Sequence, residues 1–237
     1  MKTRTEDEKT LISNFYKKED YDWDVKQYLQ KTNYYKEKVK NIMPFILPVR
    51  GKRLLEVGCG WGGFCINFND LGANVTGLDF SSELLKVAKD LSGDRKIKYV
   101  KASLYAMPFE RGSFDVVVAL DCFEHITDLR SALKECWRVL KDDGKLVIYC
   151  PTDHHIFEIM RKHKIILRSH DEHINPSYNL KSFSEQLTLE GFKINNSRHF
   201  CSHILFFNLF ERLFLFVPWL QRRFLIEAIK KIPGDKS

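Results

Sequence analysis

The sequence predicts an α/β fold: a Rossmann-like, mostly parallel sheet of seven (or six) strands flanked by helices, with an N-terminal helical lid and C-terminal amphipathic helices. Three observations carry this expectation. Between residues 53 and 150, short apolar runs alternate with helix-patterned stretches in repeating β-α-β-α order. One run, FDVVVAL at 114–120, is nearly all apolar, as a strand covered on both faces requires. The first run ends in a glycine-rich turn that opens a helix, and the next run ends in an acid.

The elements follow in order. Residues 1–10 are a polar, loose start. Residues 11–47 predict one or two helices, because Leu11, Phe15, Val25, Tyr28, Leu29, Val39, Ile42 and Met43 fall at helical spacings; Pro44 and Pro48 close the region. Its aromatics, among them Tyr16, Trp23 and Tyr35, suit either a lid over a pocket or a core. RLLEVG (53–58) is the first strand, 62–71 a helix and 74–80 the second strand. Residues 82–91 form a helix behind the capping Ser81 and Ser82, with Leu84, Leu85, Val87, Ala88 and Leu91 as its apolar face. Strands at 97–102 and 114–120, a helix at 128–140 and a strand at 145–150 complete the alternation.

After Pro151 the pattern loosens. An amphipathic helix is expected at 154–167, a helix at 181–190, and a strand at 192–200 following Gly191. The tail reads as two amphipathic helices. In 204–217, Asn208, Glu211 and Arg212 make one polar stripe, and Pro218 ends the segment. In 219–232, Arg222, Arg223, Glu227, Lys230 and Lys231 are polar against Leu220, Phe224, Leu225, Ala228 and Ile229. Alternatively, 204–207 is a final antiparallel strand; none is expected after 232. The expected organisation is therefore a lid at 1–48, a central domain at 49–200 and an apolar amphipathic extension at 201–237.

Composition narrows the class. A chain of 237 residues, 44% hydrophobic and 29% charged, is globular rather than disordered and long enough to bury a core. Its six cysteines are scattered without a CxxC pair, which speaks against a disulfide framework or zinc ribbon and suits a reducing cytosol. The formal charge of +7 favours an anionic partner, although the charges are spread. The first residues carry no apolar signal core, and the apolar stretch 204–220 is interrupted by charge. The expected location is cytoplasmic, with any membrane contact peripheral.

The chemistry is concentrated in two places. Gly58, Gly60 and Gly63 form GxGxxG between a strand and a helix, and Asp79 ends the following strand. Glycines let backbone approach a ligand closely, and the acid accepts two hydrogen bonds from ribose hydroxyls, so the arrangement fits adenosine recognition. Dinucleotides and S-adenosylmethionine both use this layout. The second place is DCFEH (121–125), where Asp121, Glu124 and His125 share one face if the segment starts a helix. They fit three roles: ligands of a divalent ion such as Mg²⁺, a setting for His125 as general base, or structural positioning.

Taken together, LLEVGCGWGGF (54–64), MPFERGSFDVVVALDCFEHI (107–126) and RVLKDDGKLVIYCP (138–151) resemble, in order and spacing, the class I S-adenosylmethionine-dependent methyltransferases. The likeness spans roughly residues 50–195, and the nearest pattern is that of the ubiquinone-biosynthesis O-methyltransferases. It implies that Glu56 helps place the cofactor's amino group, and that Gly58, Cys59 and Gly60 line its methionine part. Asp79 would hold the ribose, Phe80 would pack on the adenine, and Leu120 or Asp121 would face the methionine end. Ser103 and Leu104 stand where the family has an acid and its neighbour against the adenine amino group; the acid is missing, and an uncharged acceptor binds more weakly.

Methyl transfer from a sulfonium needs a nucleophile aligned about 3 Å away and, for oxygen, a destination for its proton. The acid-x-x-Glu-His pattern is also similar to that of the small-RNA 3′-terminal 2′-O-methyltransferases, which use a divalent metal. His170 or His173 in SHDEHI would close the site from the other side as base or metal ligand. Two enzyme readings follow: O-methylation of an apolar small molecule, lipid or quinone-like ring, or RNA 2′-O-methylation. A third is a cofactor-binding relative without turnover. No basic run interleaved with aromatics and no appended RNA-binding module favour RNA, and DNA is not an expected partner. The insert 152–178, with Ile156, Phe157, Ile159 and Met160 rimmed by Arg161, Lys162 and Lys164, and the basic aromatic tail suit a membrane surface, their own domain or a second subunit.

Overall fold

The computed structural model describes residues 33–152, 178–200 and 223–231. Among the described residues there are seven strands: β1 (Arg53–Val57), β2 (Asn74–Asp79), β3 (Lys98–Lys101), β4 (Phe114–Leu120), β5 (Leu140–Pro151), β6 (Phe192–Phe200) and β7 (Arg223–Lys230). They form one sheet in the order β3-β2-β1-β4-β5-β7-β6. β1 to β5 pair in parallel, and β7 runs antiparallel between β5 and β6. The helices are α1 (Asn33–Ile46), α2 (Gly63–Asp70), α3 (Ser82–Ser92), α4 (Leu129–Val139) and α5 (Leu180–Leu189). The chain divides into two units at Lys40, and the sheet belongs wholly to the second, Asn41–Ser237.

Local chemistry places the helices. Ser81, Asp128 and Asn179 each accept, through the side chain, a backbone N–H from the first turn of α3, α4 and α5 respectively. α1 continues past Pro44 to Ile46; the Lys145 ammonium donates to the Phe45 carbonyl at 3.0 Å, satisfying an acceptor at the helix end.

Both faces of the sheet are buried. Leu55, Val57, Val117, Ala119, Leu146, Ile148, Phe224 and Ile226 pack with Leu133 and Cys136 of α4 and Phe183 and Leu187 of α5. Because strand side chains alternate, Leu54, Val116, Val118, Val147 and Leu225 lie on the other face, and all are buried too. β5 begins at Leu140, ahead of the expected start at 145, and its register against β4 slips between Phe114 and Val116 as KDDG bulges out.

The tail corrects one expectation. Residues 223–230, read as part of an amphipathic helix spanning 219–232, are the inner strand β7. The apolar spacing of RFLIEAIK fits a helix face and a two-sided buried strand equally well, and neighbours decide. Two of the polar residues expected on a solvated face, Glu227 and Lys230, are instead buried and paired. Glu227 takes the Lys145 ammonium at 2.8 Å. Lys230 donates to the Leu140 carbonyl at 2.7 Å and lies 4.1 Å over the Trp137 ring. This strand cannot supply a membrane-surface helix. The expectations for 11–32, for 154–167 and for 204–217, including its strand alternative, lie outside the described residues. No helix among the described residues is long and apolar enough to cross a membrane.

Candidate active site

β2 and β4 flank β1, and the chain leaves β1 at the point where strand order reverses, the place beyond the strand ends where parallel sheets of this kind receive ligands. The glycine loop sits at this point. The amides of Gly58 and Cys59 donate to the Leu78 carbonyl at 2.7 and 3.1 Å, and the Gly62 amide to the Cys59 carbonyl at 2.9 Å.

Gly58, Gly60 and Gly62 have φ of +67°, +51° and +79°, conformations that side chains other than glycine disfavour. Their surroundings differ. A Cβ on Gly58 would lie 2.5 Å from the Cys122 Sγ, and one on Gly62 would overlap the Tyr99 hydroxyl. A Cβ on Gly60 would meet nothing within 4 Å. Two glycines therefore seat the loop against the protein, while the third keeps backbone bare beside open space. Gly63, the third glycine of the expected motif, is the first residue of α2.

Asp79 ends β2 as expected and faces this loop. Its Oδ2 accepts the Gly60 amide at 2.9 Å and its Oδ1 the Ser81 amide at 2.9 Å. Burial pushes its carboxyl above the usual range, while the backbone donors of Ser81, Gly60 and Phe80 pull it back in part. Phe80 follows, half-buried.

Glu56 is 2% exposed on β1 and accepts the Cys65 thiol at 2.9 Å. Burial pushes the Cys65 thiol well up, with the Cys59 thiol and the Glu56 charge adding to it. For Cys59, the hydrogen bond with Cys65 lowers the thiol, and burial with the Glu56 and Asp79 charges outweighs it. Both thiols crowd Gly77 of β2, where a Cβ would stand 2.8 and 2.9 Å from them. The Cys59 side chain is thus buried beneath the loop, against β2.

Ser103 is exposed and its Oγ accepts the Tyr105 amide at 3.2 Å; Leu104 packs partly on the core. Leu120, the last residue of β4, is buried.

The DCFEH segment departs from the expected helix start. Asp121 has φ +53°, and Phe123–His125 form a single 3₁₀ turn. Three residues per turn do not stack positions 121, 124 and 125 on one face. Phe123 is fully buried, and the buried Glu124 carboxylate has the Cys150 Sγ at 3.8 Å. His125 is half-buried, its amide donating to the Cys122 carbonyl at 3.1 Å. The Asp121 carboxylate forms an ion pair with Arg223 of β7.

Among the described residues no group of three or more His, Cys, Asp or Glu side chains could hold a metal ion. A divalent ion such as Mg²⁺ wants several oxygens at near-octahedral angles. Asp121 is committed to a guanidinium and Glu124 faces the interior, so these residues do not fit one. His170 and His173, the other expected ligands, lie outside the described residues.

Two site residues escape a reading of the sequence. Gly62 is visible in CGWGG, but the GxGxxG template skips it. Arg223 is 102 residues from Asp121 and its local spacing suggests a helix, so no sequence signal links them.

Comparison with known proteins gives the same assignment. Residues 55–148 match the family model described as a methyltransferase domain. The ubiquinone biosynthesis O-methyltransferase of Xanthomonas oryzae pv. oryzae is 37% identical over 105 residues, 43% of this chain and 44% of that protein. The sterol 4-C-methyltransferase of Caenorhabditis elegans is 34% identical over 99 residues, 40% of this chain and 30% of its own length. The matched segment thus spans less than half the length of these curated relatives. The crystal structure of an S-adenosylmethionine-dependent methyltransferase from Mesorhizobium loti superposes with a TM-score of 0.66 at 19% identity, covering 85% of this chain and all of that one. With the glycine loop, the β2 acid and the seven-stranded sheet in place, the chain has the fold of the S-adenosylmethionine-dependent methyltransferase structure it superposes on, and its residues 55–148 match the methyltransferase domain family.

Proposed function

We propose that this protein transfers a methyl group from S-adenosylmethionine to a hydroxyl of an apolar small molecule, of quinone-precursor or lipid-like character. The observation that carries the cofactor assignment is the open space at Gly60 beside the buried Asp79 carboxylate. S-adenosylmethionine supplies the chemistry as an electrophilic methyl on a sulfonium. The protein's own work is to hold, orient and deprotonate. Asp79 accepts the ribose hydroxyls, and its bond from Gly60 keeps the loop in place for the methionine part. Phe80 offers an apolar face to the adenine, and Ser103 and Leu104 border it. Glu56, beneath the loop, supports the same end.

On the acceptor side, His125 takes the hydroxyl proton at a ring nitrogen, a role within ordinary imidazole chemistry. Asp121, paired with Arg223, accepts a hydrogen bond and orients the acceptor. Glu124 positions the 3₁₀ turn from the interior. The choice of oxygen as acceptor atom rests on the likeness to the ubiquinone-type enzyme, and the preference for an apolar substrate on both curated relatives.

The test is calorimetry with S-adenosylmethionine, followed by an assay of S-adenosylhomocysteine release over catechols, prenylated hydroxybenzoates, sterols and short RNAs. Binding followed by turnover on hydroxylated apolar rings is expected. Turnover on sterols alone with the new methyl located on carbon by mass spectrometry would move the reaction to carbon, turnover on RNA alone would move it to nucleic acid, and absent binding would refute the proposal.

A further inference from the structure

β7 runs antiparallel to β5, so its first residue, Arg223, lies opposite Pro151 at the edge where β4 and β5 end. From there the guanidinium passes 5.3 Å over the Tyr149 ring and reaches Asp121 on the far side of β5. Asp121 is tied to the same strand by its own amide, which donates to the Tyr149 carbonyl at 2.9 Å. It is also tied to the glycine loop, because Cys122, the next residue, fills the space a Cβ on Gly58 would need. The ion pair is partly open: the Arg223 and Asp121 side chains are 21% and 26% exposed.

The charge at this place matters. A sulfonium is cationic before transfer, and the thioether left behind is neutral. A bare carboxylate nearby would stabilise the charged ground state more than the transition state, which slows transfer. A guanidinium beside the carboxylate cancels that field at short range.

We propose that Arg223 is a positioning residue of the methyl-transfer end, holding and neutralising Asp121 from across β5 so that the crevice does not over-bind the charged methyl donor relative to its neutral product. This rests on the S-adenosylmethionine reading above. It assigns β7, the strand that sequence patterning left in the tail, a part in the site.

The test is the ratio of the dissociation constants of S-adenosylmethionine and S-adenosylhomocysteine, measured by calorimetry at low salt. R223M is expected to move the ratio toward S-adenosylmethionine by about three- to tenfold, the scale for a unit charge about 8 Å away in a medium of effective dielectric near 30–60. R223K, which keeps the charge, stays near the wild type. D121N leaves the guanidinium bare and moves the ratio the opposite way, and the double variant, with both charges gone, returns the ratio to near the wild type. A purely structural Arg223 would weaken both ligands equally in R223M, and a double variant that stays shifted from the wild-type ratio would show that charge is not what the pair controls; either result overturns the proposal. If R223M fails to fold by its thermal melt, D121N decides: a shift toward S-adenosylhomocysteine supports the proposal, and an unchanged ratio overturns it. A wild type that binds neither compound overturns the methyl-donor reading itself, and this proposal with it.

Discussion

The amide of Gly60 donates to the Oδ2 of Asp79 at 2.9 Å, joining the loop after β1 to the tip of β2 across 19 residues of chain. One carboxylate thus pins the loop and, in the proposed function, also holds the ribose. Asp79→Ala removes both. The expected loss in S-adenosylmethionine affinity is about 1.5–3 kcal/mol, the range for hydrogen bonds to a charged group, and calorimetry reads it as roughly a ten- to hundredfold weaker dissociation constant. Unchanged affinity would remove Asp79 from the ribose.

The two glycines on either side of Cys59 separate stability from binding. Gly58→Ala meets the Cys122 Sγ at 2.5 Å with φ +67°, and a left-handed alanine alone costs about 1–2 kcal/mol, with overpacking adding about 1–3 kcal/mol. Its melting temperature should fall by several degrees. Gly60→Ala bears the backbone cost only, because its Cβ enters open space. It should melt closer to the wild type and lose cofactor affinity. Equal melting losses with intact binding in Gly60→Ala would contradict a ligand cradle.

Asp79 also predicts a pH dependence. Burial raises its folded pKa above the ordinary carboxylate value of 3.8. The folded protein therefore binds the proton more tightly than the unfolded chain, and stability is lost as pH rises through this window. Asp79→Asn removes the penalty, so its unfolding free energy relative to wild type should improve between about pH 4 and neutrality, in the sense given by linkage. Urea melts at a series of pH values check it; parallel curves for the two proteins would show that the carboxylate is not held against its burial.

Ile226 lies fully buried on β7 in the main core. Ile226→Ala should cost about 2–5 kcal/mol, as core truncations do. Lys230→Met deletes the donor to the buried Leu140 carbonyl and should cost about 1–3 kcal/mol. A detachable amphipathic tail would show neither loss in a chemical denaturation curve.

The parts of the site legible in the sequence are those carried by neighbouring residues. Gly58, Gly60 and Asp79 are recognisable because a strand, a tight turn and the next strand end lie within about 25 residues, and backbone conformation there restricts the residue types allowed. The DCFEH segment is less legible. Its composition suggests a shared helical face, but the strand end leaves Asp121 at φ +53° and packs Phe123 into the core, which turns Glu124 inward. Tertiary burial overrides a local spacing argument.

By itself the sequence determined the β-α alternation from 53 to 150 and the glycine turn with its acid, since these follow from local periodicity and short-range turn chemistry, and its motifs carried the resemblance to methyltransferases that the family match over 55–148 supports. Only the tertiary structure decided that 223–230 is a strand and that Arg223 meets Asp121. Both depend on β5 and β6 offering open edges to a distant segment, and a short, largely apolar run carries no record of which partner will cover it.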